Sequence, residues 1–208
     1  MIAIIDYGVG NLYSLSHSLA YLGLECQVTR DPRCIQAASR LILPGVGAFG
    51  DAMAKLEDTG LTPLIRRKAG EGTPLLGICL GMQLLFERSY EYGLHQGLGL
   101  LKGSICPLRE DIPPQLKVPQ IGWNSLDIRR PHPLLAGVEQ GDCVYYVHSY
   151  YAKDCGSALV ASSAYGVDVP GLVARGNVAG AQFHPEKSGR VGLSILAAFA
   201  QWKGEEVC

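Results

Sequence analysis

The sequence predicts an α/β fold: an open, twisted, mixed but mainly parallel sheet flanked by helices, with extra antiparallel strands in the C-terminal half. In the first half of the chain, short apolar runs alternate with segments whose apolar residues recur at helical spacing. This alternation is typical of a parallel sheet covered on both faces. Beyond about Lys102, strand-like runs follow one another with few helices between them, which predicts antiparallel pairs. The 208 residues, 48% of them hydrophobic, suffice for one domain with a sizeable core, assigned to 1–208.

The first half begins with a strand over 2–6 and a helix that Asn11 caps. The helix places Leu12, Leu15, Leu19 and Leu22 on one face. The further elements predicted here are strands over 24–29, 40–43 and 75–78, helices over 49–56 and 61–69, and a helix-like segment over 82–86.

In the second half, four prolines between 107 and 119 predict a loop-rich surface excursion. The elements predicted after it are strands over 122–128, 144–148, 158–164, 171–174 and 178–183, and a closing helix over about 191–202.

Composition excludes several classes of function. A formal net charge of −1 and the lack of a long basic block argue against nucleic-acid binding. The first residues read as a strand and not as a signal peptide, and no apolar run approaches the roughly 20 residues that span a bilayer. The seven cysteines are scattered, with no C-x-x-C pair, which favours free thiols over disulfides or a metal site. We therefore expect a soluble cytoplasmic protein without metal or other cofactor.

The strongest functional signal is Gly77-Ile78-Cys79-Leu80-Gly81, which follows a buried strand and precedes a helix. G-x-C-x-G is the cysteine counterpart of the nucleophile elbow G-x-S-x-G. At the helix N-terminus, unpaired N–H groups favour the Cys79 thiolate, and the N–H of Leu80 supplies half of an oxyanion hole. The structural alternative is a small buried core cysteine.

A cysteine nucleophile needs a base, and His184 is the best candidate among five histidines. It follows the apolar strand over 178–183, and Pro185 then ends the pairing. Glu186 is close enough to hold one ring nitrogen while the other faces Cys79, which predicts a Cys-His-Glu triad. The alternative is an ordinary polar turn after a strand.

The loop Gly45-Val46-Gly47 also follows an apolar strand, so it should lie at the same sheet edge as Cys79. It could donate the second N–H of the oxyanion hole. Extended to Gly50, it matches the dinucleotide fingerprint G-x-G-x-x-G. The acid at the required distance, Glu71, precedes the next strand instead of ending it, which argues against that alternative.

Together these motifs carry a family resemblance. The segments Gly77 to Gln83 and His184 to Glu186 resemble the class I glutamine amidotransferases, whose Cys-His-Glu triad releases ammonia from glutamine. Within that superfamily, the chain resembles the glutaminase subunits of imidazole glycerol phosphate synthases in histidine biosynthesis. The segments that carry this closer resemblance are 6–11, 44–50, 145–150 and 184–188.

The resemblance implies a substrate, a partner and further site residues. L-glutamine would be held at its amino-acid end by Gln83, Glu91 and the backbone of Ser149 and Tyr150. The partner would be a (β/α)₈ cyclase subunit, which takes up the ammonia, makes imidazole glycerol phosphate and aminoimidazole carboxamide ribotide, and completes the oxyanion hole. The resemblance places four residues at that interface: Asn11, Trp123, Tyr145 and Lys187.

Two other classes of function remain open from sequence. One is a cysteine hydrolase or a different glutaminase on the same fold, such as one that serves pyridoxal phosphate synthesis. The other is a non-catalytic nucleotide-binding module that uses the Gly45 loop.

Overall fold

The fold is built on one large mixed sheet, and the computed structural model describes residues 1–204. Its strands are β1 (Ile2–Ile5), β2 (Cys26–Thr29), β3 (Arg40–Gly45), β4 (Leu75–Cys79), β9 (Asp127–Ile128), β12 (Leu159–Ala164), β13 (Asp168–Arg175) and β14 (Val178–Ala181). Their order in the sheet is β2-β1-β3-β4-β14-β13-β12-β9. The first five strands of that order pair in parallel, and the remaining pairs are antiparallel.

Two smaller sheets flank this large one. Their strands are β5 (Phe86–Ser89), β6 (His95–Gln96), β7 (Leu101–Pro107), β8 (Gln120–Ser125), β10 (Cys143–His148) and β11 (Tyr150–Lys153). The four-stranded sheet has the order β11-β7-β5-β6, and an antiparallel pair joins β10 to β8. The β10–β8 pair and the start of β11 border the site described below.

Helices cover both faces of the large sheet. Along β1, Ala3 and Ile5 pack into one hydrophobic core, while Ile2 and Ile4 pack into the other. This alternation follows from the two-residue period of a strand. The described helices are α1 (Leu12–Tyr21), α2 (Pro32–Ala37), α3 (Phe49–Asp58), α4 (Thr62–Gly70), α5 (Leu80–Leu84) and α6 (Gly189–Gln201). Residues of α2 to α5 pack in the first core, and residues of α1 and α6 pack in the second.

The predicted fold class is confirmed, but several element predictions are wrong. The helix predicted over 82–86 ends at Leu84, because Phe86 begins β5. The strand predicted over 122–128 is two strands: β8 pairs with β10, β9 pairs with β12, and the buried Leu126 lies between them. Five elements were not predicted from the sequence: α2, β5, β6, β7 and β11.

The proline-rich excursion begins later than predicted. Pro107 is the last residue of β7 and lies opposite Tyr150 of β11. Proline is tolerated at such a position because the ladder ends there. Asn11 is the residue before α1, as predicted, but its side chain makes no capping hydrogen bond.

The predicted free thiols are confirmed for the six cysteines within residues 1–204, and Cys208 lies outside the described residues. Within the same range, no helix is long and apolar enough to cross a membrane. Nor does that range contain a group of three or more His, Cys, Asp or Glu side chains that could hold a metal ion.

Candidate active site

Cys79 lies in a strained turn between β4 and α5. Its φ of 53° and ψ of −114° lie in a region that residues with a Cβ rarely adopt. Both flanking glycines are sterically required. A Cβ on Gly81 would collide with the carbonyl oxygen of Leu43, and a Cβ on Gly77 would lie 2.6 Å from the carbonyl oxygen of Gly81. Only glycine therefore allows this close strand-to-helix turn, which is the geometry of a nucleophile elbow.

His184 reaches Cys79 because β14 is the neighbour of β4 in the sheet. The pair Ala181 and Ile78 ends the β14–β4 register, so the chain beyond Ala181 emerges beside the elbow. The backbone N–H of His184 donates to the carbonyl of Tyr145 at 2.9 Å. Nδ1 of His184 lies 2.8 Å from Oε1 of Glu186, which leaves Nε2 for the sulfur of Cys79. The three side chains of the predicted triad thus lie together.

The groups around His184 favour a protonated imidazole. Burial lowers the pKa of His184, but hydrogen bonds to Cys79 and Glu186 and the negative charges of both groups outweigh it and raise the pKa to about 9. The His184 and Glu186 side chains are only 3% and 2% exposed, so water screens their interaction little. The site therefore favours an imidazolium between the sulfur of Cys79 and the carboxylate of Glu186.

The second oxygen of Glu186 has no partner among the described residues. Oε2 is buried without a hydrogen bond, while Oε1 accepts from His184 and, at 3.5 Å, from Nδ2 of Asn11. Asn11 thus contacts the triad carboxylate instead of capping α1.

A cavity of about 310 Å³ opens in front of Cys79. It brings together most of the sequence-predicted site residues, although they come from five separate parts of the chain. Its lining comprises Val46, Gly47, Cys79, Leu80, Gln83, Glu91, Pro119, Val147, His148, Ser149, Tyr150 and His184. Gly45, the remaining oxyanion candidate, pairs directly with Cys79 in the β3–β4 register.

Gln83 is fixed by two hydrogen bonds inside this cavity. Its Nε2 donates to the carbonyl of Tyr150 and to Oε1 of Gln182, each at 2.9 Å. Both protons of the side-chain amide are therefore used, and the side-chain oxygen of Gln83 is the atom left for a ligand.

Glu91 contributes a carboxylate to the same cavity. It accepts the backbone N–H of Phe49 at 2.6 Å. Burial raises the pKa of Glu91, while that hydrogen bond opposes the shift. Glu91 is the acidic side chain that lines the cavity among the described residues.

None of the four predicted interface residues lines the cavity: Asn11 contacts Glu186, and the other three lie close together at the surface. Trp123 is 55% exposed and packs edge-on against Tyr145, with ring centroids 5.9 Å apart. Lys187 Nζ lies 6.0 Å from the Tyr145 ring. Ile121, also on β8, is 61% exposed. These residues form an exposed apolar and basic patch, which we call the β8–β10 patch: Ile121, Trp123, Tyr145 and Lys187.

Several residues of the site were not predicted from the sequence, among them Gln182, Tyr7 and His148. Gln182 donates to the sulfur of Cys79 at 3.9 Å, and Tyr7 donates its hydroxyl to the carbonyl of Pro44 at 2.8 Å, beneath the Gly45 loop. His148 lines the cavity. The signal for His148 was its place directly before Ser149 and Tyr150, and the signal for Gln182 was its place two residues before His184.

Comparison with known proteins agrees with this geometry. The family model for class-I glutamine amidotransferases matches residues 3–201. A relative from Geobacillus kaustophilus, "Imidazole glycerol phosphate synthase subunit HisH", is 55% identical over 199 residues, with 94% of each chain covered. A HisH protein of Bacillus licheniformis is 51% identical over 209 residues, covering 99% of this chain and 98% of its own. The chain belongs to the HisH family of class I glutamine amidotransferases. This membership confirms the resemblance inferred from sequence and argues against the nucleotide-binding alternative.

Solved structures of amidotransferases share the fold of this HisH family member. A chain of PurLQS from Thermotoga maritima superposes with a TM-score of 0.75 at 21% identity, covering 96% of this chain and 97% of that chain. A structure described as glutamine amidotransferase gives a TM-score of 0.74 at 20% identity, covering 96% and 99%. At these identities the likeness concerns the fold alone.

Proposed function

We propose that this chain hydrolyses the side-chain amide of glutamine to glutamate and ammonia, and passes the ammonia to a (β/α)₈ cyclase subunit. The observation that carries the proposal is the strained Cys79 elbow facing His184, which Glu186 holds in place at the mouth of one cavity. The match over residues 3–201 supports a single amidotransferase domain. Its proposed location is the cytoplasm.

In the first half of the reaction, the Cys79 thiolate attacks the side-chain amide carbon of glutamine. The carbonyl oxygen becomes an oxyanion, which the N–H of Leu80 and an N–H of the Gly45 to Gly47 loop stabilise. His184, as imidazolium, then protonates the departing nitrogen. The C–N bond breaks, ammonia leaves, and a thioester to Cys79 remains.

In the second half, His184 is neutral and acts as a base. It takes a proton from a water molecule, whose oxygen attacks the thioester carbon. The C–S bond breaks, and glutamate and the Cys79 thiolate are released while His184 is again protonated. Glu186 keeps the imidazole in the orientation that both steps need.

The amino-acid end of glutamine would lie on the opposite side of the cavity from the triad. The carboxylate of Glu91 and the carbonyl oxygen of Gln83 suit an α-ammonium group, because both are acceptors. The backbone N–H groups of Ser149 and Tyr150 suit the α-carboxylate.

Glutamate release by the purified chain, mixed with a cyclase partner and its ribotide substrate, tests the chemistry. Cys79→Ser should reduce turnover to background, whereas the exposed Cys143→Ser should keep wild-type turnover. A glutamine-analogue electrophile should add its mass to Cys79 and spare the six other thiols. Retained turnover in Cys79→Ser, or labelling spread over all thiols, would contradict the proposed mechanism.

The β8–β10 patch supports the proposed partner. An exposed tryptophan beside exposed isoleucine is unusual on a monomer surface and typical of interface anchors. Lys187 of this patch directly follows Glu186 of the triad in sequence. A cyclase docked here would cover the cavity and keep the ammonia from water.

The partner proposal is tested by titrating the cyclase against Trp123→Ala. Loss of an aromatic anchor that the complex would bury should weaken binding by about 2 kcal/mol or more, which is roughly a 30-fold rise in Kd. Val28→Ala, a partly exposed residue on the distant edge strand β2, is the matched control and should bind normally. Equal affinity of both variants would place the partner on another surface.

A further inference from the structure

His148 is a buried histidine that the proposed chemistry does not use. It ends strand β10 at the wall of the active-site cavity, next to Ser149 and Tyr150. Its ring is packed against Tyr146, with centroids 5.6 Å apart. A buried histidine in the wall of a catalytic cavity calls for an account of its hydrogen bonds.

Those hydrogen bonds define which tautomer is present. Nδ1 of His148 lies 2.9 Å from the carbonyl oxygen of Tyr150, and because a carbonyl only accepts, Nδ1 must carry the proton. Nε2 is enclosed and has no hydrogen-bond partner within residues 1–204. An unprotonated Nε2 loses less by burial without a partner than an N–H group would. The neutral ring with its proton on Nδ1 therefore fits the site.

The electrostatics agree with a neutral ring. Burial lowers the pKa of His148 to about 4; the hydrogen bond to Tyr150 opposes the shift, and the charge of His184 adds to it. His148 is therefore a fixed donor near pH 7, unlike His184.

The acceptor of this bond is shared with Gln83. The Tyr150 carbonyl receives Nδ1–H of His148 and Nε2–H of Gln83, each at 2.9 Å, from two different parts of the chain. Gln83 also bonds Gln182, which donates to the Cys79 sulfur at 3.9 Å. One chain of hydrogen bonds thus links the Ser149–Tyr150 backbone to the nucleophile.

We propose that His148 is a positioning residue, whose Nδ1–H, together with Gln83, locks the Tyr150 carbonyl and so orients the Ser149 and Tyr150 backbone that receives the amino-acid end of glutamine. The inference rests on the proposed function. It predicts an effect on glutamine recognition, not on the reactivity of the Cys79 thiolate itself.

Two amide variants separate the two ring nitrogens. His148→Asn places an amide N–H near the position of Nδ1, whereas His148→Gln places it near Nε2. With the cyclase complex, His148→Gln should raise KM for glutamine about tenfold, the effect of losing one hydrogen bond, with a smaller change in kcat. His148→Asn should stay within about threefold of wild type in KM.

Alkylation of Cys79 provides a readout that general damage would not reproduce. A glutamine-analogue electrophile should label His148→Gln about tenfold more slowly, in line with KM. Iodoacetamide, which lacks an amino-acid end, should label the wild type and both variants at equal rates.

Three results would overturn the inference. They are an unchanged KM in His148→Gln, a larger defect in His148→Asn than in His148→Gln, or a parallel loss of reactivity toward both reagents. A wild-type complex that releases no glutamate, and whose Cys79 ignores the glutamine analogue, would instead refute the proposed function and the inference with it.

Discussion

Replacing Glu186 by glutamine removes the charge that holds His184 and leaves the shape of the side chain almost unchanged. The bond between Nδ1 of His184 and Oε1 of Glu186 is 2.8 Å long and almost wholly shielded from water. Hydrogen bonds to charged groups contribute about 1.5–3 kcal/mol. Losing that stabilisation in the transition state should lower kcat roughly 10- to 150-fold.

The same change should lower the pKa of His184. One pKa unit corresponds to about 1.4 kcal/mol, so the loss amounts to about one to two units from its value near 9. Because the imidazolium protonates the departing nitrogen, kcat falls as pH rises through this pKa. The alkaline limb of the kcat profile should therefore move to lower pH by about one to two units in Glu186→Gln.

The assay is glutamate release by the cyclase complex over a pH series. The matched control is Glu57→Gln, an exposed carboxylate on α3, which should behave as wild type. If Glu186→Gln loses less than about threefold in kcat and keeps the wild-type alkaline limb, the carboxylate does not act through His184 as argued.

Three further predictions concern the framework of the site. Gly81→Ala drives a Cβ into the carbonyl of Leu43, and it should lower the free energy of unfolding by about 3 kcal/mol or more, measured by urea denaturation. Tyr146→Phe removes the buried hydroxyl that donates to Ser163 Oγ at 2.9 Å, and it should cost about 1 kcal/mol in the same assay. The pKa of His184 is raised above 6.5 in the folded state, so its stabilising contribution is complete below pH 6.5 and is lost as pH rises through about 9. The stability difference between wild type and His184→Gln should therefore shrink over that interval.

Two matched variants serve as controls for these predictions. Gly70→Ala adds a Cβ in open space and should be nearly neutral, and Tyr13→Phe alters a hydroxyl on a side chain that is 80% exposed. Equal losses in Gly70→Ala and Gly81→Ala would refute the steric account of the elbow, and equal losses in both tyrosine variants would refute the role of the buried hydroxyl. If the difference in stability between wild type and His184→Gln grew between pH 6.5 and 9, the pKa of His184 would not be raised in the folded state as argued.

The elbow could be predicted from sequence because its requirements are local. Gly77 and Gly81 flank Cys79 within five residues, and the collision that each avoids involves the same turn or the adjoining strand. The parallel sheet could be predicted equally well, since β1, β4 and residues 41–43 of β3 are short apolar runs. His184 and Glu186 could be predicted because they come directly after an apolar strand.

The small sheets could not be predicted in the same way, because their residues are defined by distant partners. β7 contains Gly103 and ends at Pro107, so its composition favours a loop, yet it pairs with β5 and β11. His148 was missed for the same reason. Its role depends on the Tyr150 carbonyl and on Gln83, which lies 67 residues from Tyr150 along the chain.

Cys79 and its base come from strands that are neighbours in the sheet but distant along the chain: Cys79 ends β4, whereas His184 follows β14, which begins at Val178. Until the C-terminal quarter of the polypeptide has emerged and β14 has paired with β4, the sulfur has no imidazole beside it. The pair of nucleophile and base is therefore assembled only near the end of translation, when β14 takes its place in the sheet.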